Sequence, residues 1–398
     1  MNVRGWLCLL AFGSVAALGC GGSSSSGDTS TTPTEGGTES TDGGPTPEGG
    51  TSAADGAPEA SACVTGKISC SGACVDPLTD DGNCGGCDLP CPGGCAMGEC
   101  TVTLATGSIV DFDVAGPTVY FIDGEPGVSA AIKAVPVMGG TPTTIVSTKP
   151  YDFSEITADG TNVYFTYQDS SQSGYVAKAK IAGGAVTTIA TMQQAPSTIE
   201  VDATTVYWVD GWGNLGMSPI ATPAPQLLMP MMAQAGTGLA LGSTDVYWAS
   251  ANDGLVSAPL GGGQISTIFT GLVFGVAVDA SNVYLANNAT DNGFGTGTNA
   301  ILKAPVGGGA VTTLVAAKGP MALAADGTSV YWTDFSGTLM KVAAKGGVVS
   351  TLVAAGVAHL GGEYGTHALA LDATSVYVAT GSADNGQTGA AIIKVTPK

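Results

Sequence analysis

Arginine is all but missing from this chain: there is one, Arg4, and only 12 basic residues stand against 32 acids, for a net charge of −20. Neutralising nucleic-acid phosphates takes clustered Lys and Arg, so nucleic-acid binding is excluded, and attraction to anionic membrane surfaces is disfavoured with it. Histidine is nearly as scarce, with two residues in 398. No Ser-His-Asp constellation, phosphate loop or zinc-protease motif is spelled anywhere. Helical periodicity is almost absent, and glycine contributes 61 residues, which together favour an all-β fold.

What the chain does have is a repeat. A Val-Tyr pair followed by an aromatic or apolar residue occurs at Val119-Tyr120-Phe121, Val163-Tyr164-Phe165, Val206-Tyr207-Trp208, Val246-Tyr247-Trp248, Val283-Tyr284-Leu285, Val330-Tyr331-Trp332 and Val376-Tyr377-Val378. The tyrosines are 44, 43, 40, 37, 47 and 46 residues apart, the period of a four-stranded propeller blade. In the sixth copy Leu323–Asp326 reads as the inner strand, followed by strands at Ser329–Thr333, Leu339–Val342 and Ser350–Val353. Asp-Gly and Gly-Gly supply the turns between them. The seventh copy reaches Lys398 without an outer strand, and Thr101–Ala105 matches the missing piece in pattern. The expectation is a seven-bladed β-propeller over residues 101–398, with the strand 101–105 completing blade 7 and closing the ring, so that no sheet edge stays open.

Tyr331-Trp332-Thr333-Asp334 spells YWTD, and the chain resembles YWTD- and NHL-type propellers over the repeat region. Propellers of the YWTD type usually have six blades; seven are counted here, and only one carries the full tetrapeptide. The resemblance implies the fold and leaves function open.

Ahead of the propeller the composition changes three times. Arg4 and the apolar run from Gly5 to Leu18 read as a bacterial signal peptide over residues 1–19, too short for a stable membrane span. Ala17-Leu18-Gly19-Cys20 resembles a lipoprotein signal box. That resemblance implies acylation of Cys20, palmitate included, as the first residue of an exported chain. Gly21 and Gly22 lack the Asp that often marks inner-membrane retention, so the same resemblance implies the outer membrane, facing the periplasm or the cell surface. Residues 20–62 follow as a tether, whose Gly21–Ala62 portion has seven acids and no aromatic or large aliphatic residue. Such a segment cannot offset the entropy of ordering and is expected to be disordered, with a reach of about 35–40 Å. Residues 63–100 then hold Cys63, Cys70, Cys74, Cys84, Cys87, Cys91, Cys95 and Cys100. In an exported chain this density implies four disulfides stapling a module too small for a core, with the pairing left open. Cys84-Gly85-Gly86-Cys87 raises zinc or redox chemistry, but no histidine lies near it and the compartment is oxidising.

Two sets of residues are candidates for chemistry. Propeller ligands usually meet the face formed by the connections between second and third strands and the starts of the inner strands. Aligned on their tyrosines, the inner strands of blades 1 to 3 carry Asp111, Asp113, Glu155 and Glu200, where other blades mostly have Ala or Gly. This acidic sector suits a hard cation, with Ca²⁺ the candidate; a water-filled channel mouth with hydrated acids accounts for it equally simply. His367 begins blade 7 beside that sector and is either an acid–base group or an ordinary loop histidine. In the connections, Asp210 and Asp334 flank the face. Trp212, within Asp210-Gly211-Trp212-Gly213-Asn214, is the aromatic most suited to stacking on a ligand, unless it folds over the channel rim. Trp208, Trp248 and Trp332 repeat in register and belong to the core.

These observations favour a monomeric, non-enzymatic, lipid-anchored binding or scaffolding protein that holds a protein, peptide or glycan on its propeller face. The alternative is a cation-dependent hydrolase or lyase resembling propeller lactonases, with Asp111, Asp113, Glu155 and Glu200 as ligands and His367 as proton carrier.

Overall fold

The computed structural model describes residues 63–125, 129–147, 152–229, 236–250, 254–288, 299–354, 369–380 and 390–398. The signal peptide, Cys20, the tether and His367 lie outside the described residues. The described part contains strands and turns and no helix. Seven antiparallel four-stranded meanders form the ring. Their innermost strands are Ile109–Ala115, Asp152–Ala158, Thr198–Val201, Gly236–Leu241, Val273–Val278, Pro320–Ala325 and Leu369–Leu371.

The outer strand of blade 7 is Glu99–Gly107, antiparallel to Ala390–Thr396, with Thr101 opposite Val395 and Ala105 opposite Ile392. The ring is therefore closed by the segment expected. That strand begins two residues earlier, inside the cysteine-rich stretch, and Cys95–Ala96 pairs with it as a fifth strand. The eight cysteines form four bridges, Cys63–Cys74, Cys70–Cys87, Cys84–Cys95 and Cys91–Cys100. Cys100 faces Thr396 across the sheet, so the module is continuous with blade 7 at the end where the first-to-second and third-to-fourth turns lie.

The Val-Tyr-aromatic signature follows from strand alternation. In each second strand the tyrosine faces the following blade and the next residue faces the preceding one. Tyr164 shares a cluster with Trp208, Tyr207 with Trp248, Tyr247 with Leu285, Tyr284 with Trp332, Tyr331 with Val378, Tyr377 with Phe121, and Tyr120 with Phe165. Seven junctions thus reuse one packing solution.

Five blades add a polar device five residues before the tyrosine. The Oδ1 atoms of Asp159, Asp202, Asp279, Asp326 and Asp372 each accept the amides two and three residues on, fixing the hairpin turn. Their Oδ2 atoms accept the hydroxyls of Tyr164 (2.7 Å), Tyr207 (3.3 Å), Tyr284 (2.7 Å), Tyr331 (3.1 Å) and Tyr377. A third strand supplies the matching cross-blade clasp. Nζ of Lys178, Lys303 and Lys394 donates to Ile220 O (2.6 Å), Ala344 O (2.9 Å) and Val137 O (3.2 Å), in each case just past the third strand of the next blade.

Burial, joined by the nearby aspartate, pushes the hydroxyls of Tyr164, Tyr284, Tyr331 and Tyr377 above the ordinary tyrosine range. Burial alone would raise Asp159, Asp326 and Asp372 too, but hydrogen bonds from turn amides and side chains hold them below the ordinary carboxylate range. Lowered carboxylates contribute stability that is complete above a pH of about 4 and lost as the pH falls through their folded values; raised tyrosines contribute stability that is complete below about 10 and lost as the pH rises through theirs. Calorimetry across pH should therefore show a plateau between those limits. Tyr284→Phe should lower it by about 1–2 kcal/mol, and an unchanged midpoint would remove the pair from the account.

Candidate binding face

Four-stranded meanders place the second-to-third connections and the starts of the inner strands at one end of every blade, opposite the cysteine module. Three of these connections share one geometry, set by an aspartate at their first position. Asp169 Oδ1 accepts the amides of Ser171 and Ser173, Asp210 Oδ1 those of Trp212 and Asn214, and Asp334 Oδ1 those of Ser336 and Thr338, at 2.8–3.0 Å. The fourth position is left-handed in each, with φ of 61° at Gln172, 77° at Gly213 and 75° at Gly337. Glycine takes that conformation freely and Gln172 does not.

Asp210 and Asp334 thus frame the loops from within, and what the loops present outward is aromatic. Trp212 is 57% exposed and Phe335, packed edge-to-face on Phe274 at 6.1 Å, is 45% exposed. Trp212 is thus held out to solvent from the loop that Asp210 frames. Trp208, Trp248 and Trp332 are buried, as the register of the repeat requires.

Beside Trp212 stands a segment that sequence reasoning missed. The connection from blade 2 to blade 3 is tied down by Trp208 Nε1, which donates to Gln193 Oε1 (2.8 Å), and by Gly211 N, which donates to Gln194 O (2.6 Å). Met192 is 83% exposed, and both Met192 and Ala195 have left-handed φ, at 58° and 46°. On the neighbouring loop Tyr175 stacks on Tyr167 at 4.9 Å and donates its hydroxyl to Asp169 Oδ2 at 2.9 Å. The available signal was Met192-Gln193-Gln194-Ala195-Pro196, which breaks the outer-strand pattern of the other blades. Periodicity flags the break without saying what it exposes.

The inner-strand acids have a different occupation. Ile156 N donates to Asp111 Oδ2 (2.7 Å), Ala158 N to Asp113 Oδ2 (2.8 Å), and Ile199 N to Glu155 Oε2 (2.7 Å). Each carboxylate reaches from its own inner strand to a backbone amide of the next blade. Asp111 and Glu155 are only 3% and 2% exposed. Glu200 is half-buried opposite Tyr207. Among the described residues, no group of three or more His, Cys, Asp or Glu is gathered to hold a metal ion. Where the aligned position is Gly275, the strands simply close up: a Cβ there would lie 2.3 Å from Met321 O. Carboxylate and glycine are two solutions to one gap.

No family model matches the chain, and no curated protein sequence matches it. Solved structures share its fold. The computationally designed protein Ika8 is 14% identical with a TM-score of 0.50, over 74% of this chain and 98% of its own. YCF48 bound to D1 peptide is 11% identical with a TM-score of 0.53, over 75% and 97%. A chain of the mitotic checkpoint complex is 11% identical with a TM-score of 0.57, over 75% and 93%. At such identities the likeness is one of fold.

Removing an acceptor from a buried amide costs about 1–3 kcal/mol. Glu155→Ala should therefore lower the melting midpoint and Glu155→Gln, which keeps an acceptor, should lower it less. Added Ca²⁺ should move neither; a rise in midpoint with Ca²⁺ that Glu155→Gln abolishes would restore the cation reading. Acrylamide should quench one exposed tryptophan population, absent from Trp212→Phe.

Proposed function

We propose that this is a non-enzymatic binding or scaffolding protein, acylated at Cys20 and held at the bacterial outer membrane, whose propeller face holds a protein or peptide. The observation that carries the reading is the exposure of Trp212 on its loop and of Met192 near the end of the outer strand of blade 2, two segments joined by the Gly211 N to Gln194 O hydrogen bond. Large apolar side chains held out on a fixed backbone suit the anchor pockets and apolar side chains of a polypeptide. A glycan site draws on aromatic stacking with convergent polar groups, and the aliphatic Met192 offers it little. Structures of the same fold include YCF48 with its D1 peptide and a chain of the mitotic checkpoint complex, which supports the compatibility of such a ring with polypeptide partners.

The inner-strand acids, used as amide acceptors, support a structural role over a catalytic one. The anchor is carried by the sequence at Gly19-Cys20 and the long polar segment behind it.

A photo-crosslinking amino acid at position 212 should give a discrete polypeptide adduct in intact cells. One at Val348, exposed on the opposite end, should not. Equal adducts from both positions, or an adduct of glycan mass at 212, would overturn the reading of the face. Cys20→Ser should abolish palmitate incorporation and release the chain from the membrane fraction; continued membrane association would end the anchor proposal.

A further inference from the structure

We propose that the junction of blades 2 and 3 docks a polypeptide segment whose apolar side chains are flanked by Lys or Arg. The inference rests on the reading of this face as a protein-binding surface and adds the chemistry of the partner.

Three independent features meet at this junction. The first is apolar exposure: Met192 and Trp212 project at 83% and 57% from segments joined through Gly211 N and Gln194 O. The second is backbone conformation. Among the described residues of the propeller, the non-glycine residues with left-handed φ are Gln172, Met192 and Ala195, and all three lie here. Gly174, two residues after Gln172, faces Gln193 in the sheet, so they occupy one patch. Left-handed φ at such residues is strained. Nothing inside the fold repays Met192, whose side chain is in water.

The third feature is charge. Half-buried Asp169 stands on the junction's blade 2 loop and half-buried Asp152 begins the inner strand of blade 2; Asp210 is buried within the Trp212 loop, and Asp334 continues the sign on blade 6. Hydrogen bonds from Ser173, Tyr175 and Ser171 hold Asp169 below the ordinary carboxylate range, so it is ionised at neutral pH. Several lysines are engaged away from the junction, with Lys133 paired to Asp123 on blade 1 at 2.6 Å. Lys178, Lys303 and Lys394 are bound to carbonyls at the opposite end of the blades, and Lys398 pairs with Asp326 there at 2.9 Å. On the binding face the described connections offer Lys318 on a distant blade. A surface that is apolar at its centre and acidic around it is complementary to an apolar segment with basic flanks, and repels acidic ones.

The test uses the full chain and three labelled synthetic peptides of one length, alternating Leu and Phe with Lys, Gln or Glu. Fluorescence anisotropy gives affinity, and acrylamide quenching reports whether Trp212 is covered. The Lys peptide should bind, shield Trp212, and weaken about tenfold in Trp212→Ala and in Met192→Ser, the range expected of an anchor residue. Raising NaCl from about 0.05 M to about 0.5 M should weaken it severalfold, and the Glu peptide should not bind. Both substitutions replace exposed side chains, and unchanged melting midpoints confirm that the variants fold. Equal binding of the Gln and Lys peptides with Trp212 shielded would overturn the basic partner and leave the docking face standing. Lys-peptide binding that ignores both variants and leaves Trp212 quenchable would be diffuse charge attraction, and would overturn the inference. If no peptide binds or shields Trp212, the inference and the docking face fall together.

Discussion

Adjacent blades of a propeller share no ladder of backbone hydrogen bonds, so the ring stands on whatever crosses the gaps between them. Here the crossings come in three layers. Near the axis, carboxylates of blades 1 and 2 accept amides of the next inner strand, or glycine lets the strands approach directly. At mid-blade the tyrosine of one second strand packs beside the residue after the tyrosine of the next. Farther out, lysines of third strands reach carbonyls of the following blade. Each layer uses a different chemistry to do the same job. Six of the chain's sparse charged residues, Asp111, Asp113, Glu155, Lys178, Lys303 and Lys394, are committed to that job.

This division explains which parts of the molecule were legible in the amino-acid sequence. The blade count, the strand grammar and the closure by residues just after the cysteines could all be read from the Val-Tyr period and from the Thr101–Ala105 match, because packing between blades imposes one residue pattern seven times. The acidic sector was visible but open to two readings. Asp111, Asp113 and Glu155 look like ligands in an alignment column, and only the placement of the next blade's amides shows what they accept. Asp210 and Asp334 were noticed for the right loops, yet their side chains turn inward to their own backbone. Trp212 was legible because its place outside the repeat register left it no core to join. Met192 was not: the break in the outer-strand pattern at Met192–Pro196 was visible, but a left-handed residue has no sequence signature of its own when it is not glycine.

The placement of charge follows from the same division. Lysines and turn aspartates pair or bond toward one end of each blade, where their fields largely cancel. At the other end Asp169, Asp210 and Asp334 bond to their own loops, while Asp123 on blade 1 pairs with Lys133 at 2.6 Å. Among the described residues, the cysteine module continues blade 7 at the end where the lysines bond, and the connections opened by Asp169, Asp210 and Asp334 stand at the other. In the three loops opened by Asp169, Asp210 and Asp334, backbone conformation and negative charge share one origin, the aspartate at the first position.

The bridge between Cys91 and Cys100 lies at the root of the strand that seals the ring. During synthesis that strand appears almost 300 residues before its partner Ala390–Thr396, so it must wait, unpaired, while six complete sheets assemble behind it. Pairings so distant in the chain are slow to form and leave an edge exposed to wrong partners in the meantime. A cross-linked knot at its base shortens the free length of the waiting segment and blocks one of its ends. The small N-terminal module then acts as an internal assembly aid, guarding the first-made strand until the last-made one arrives.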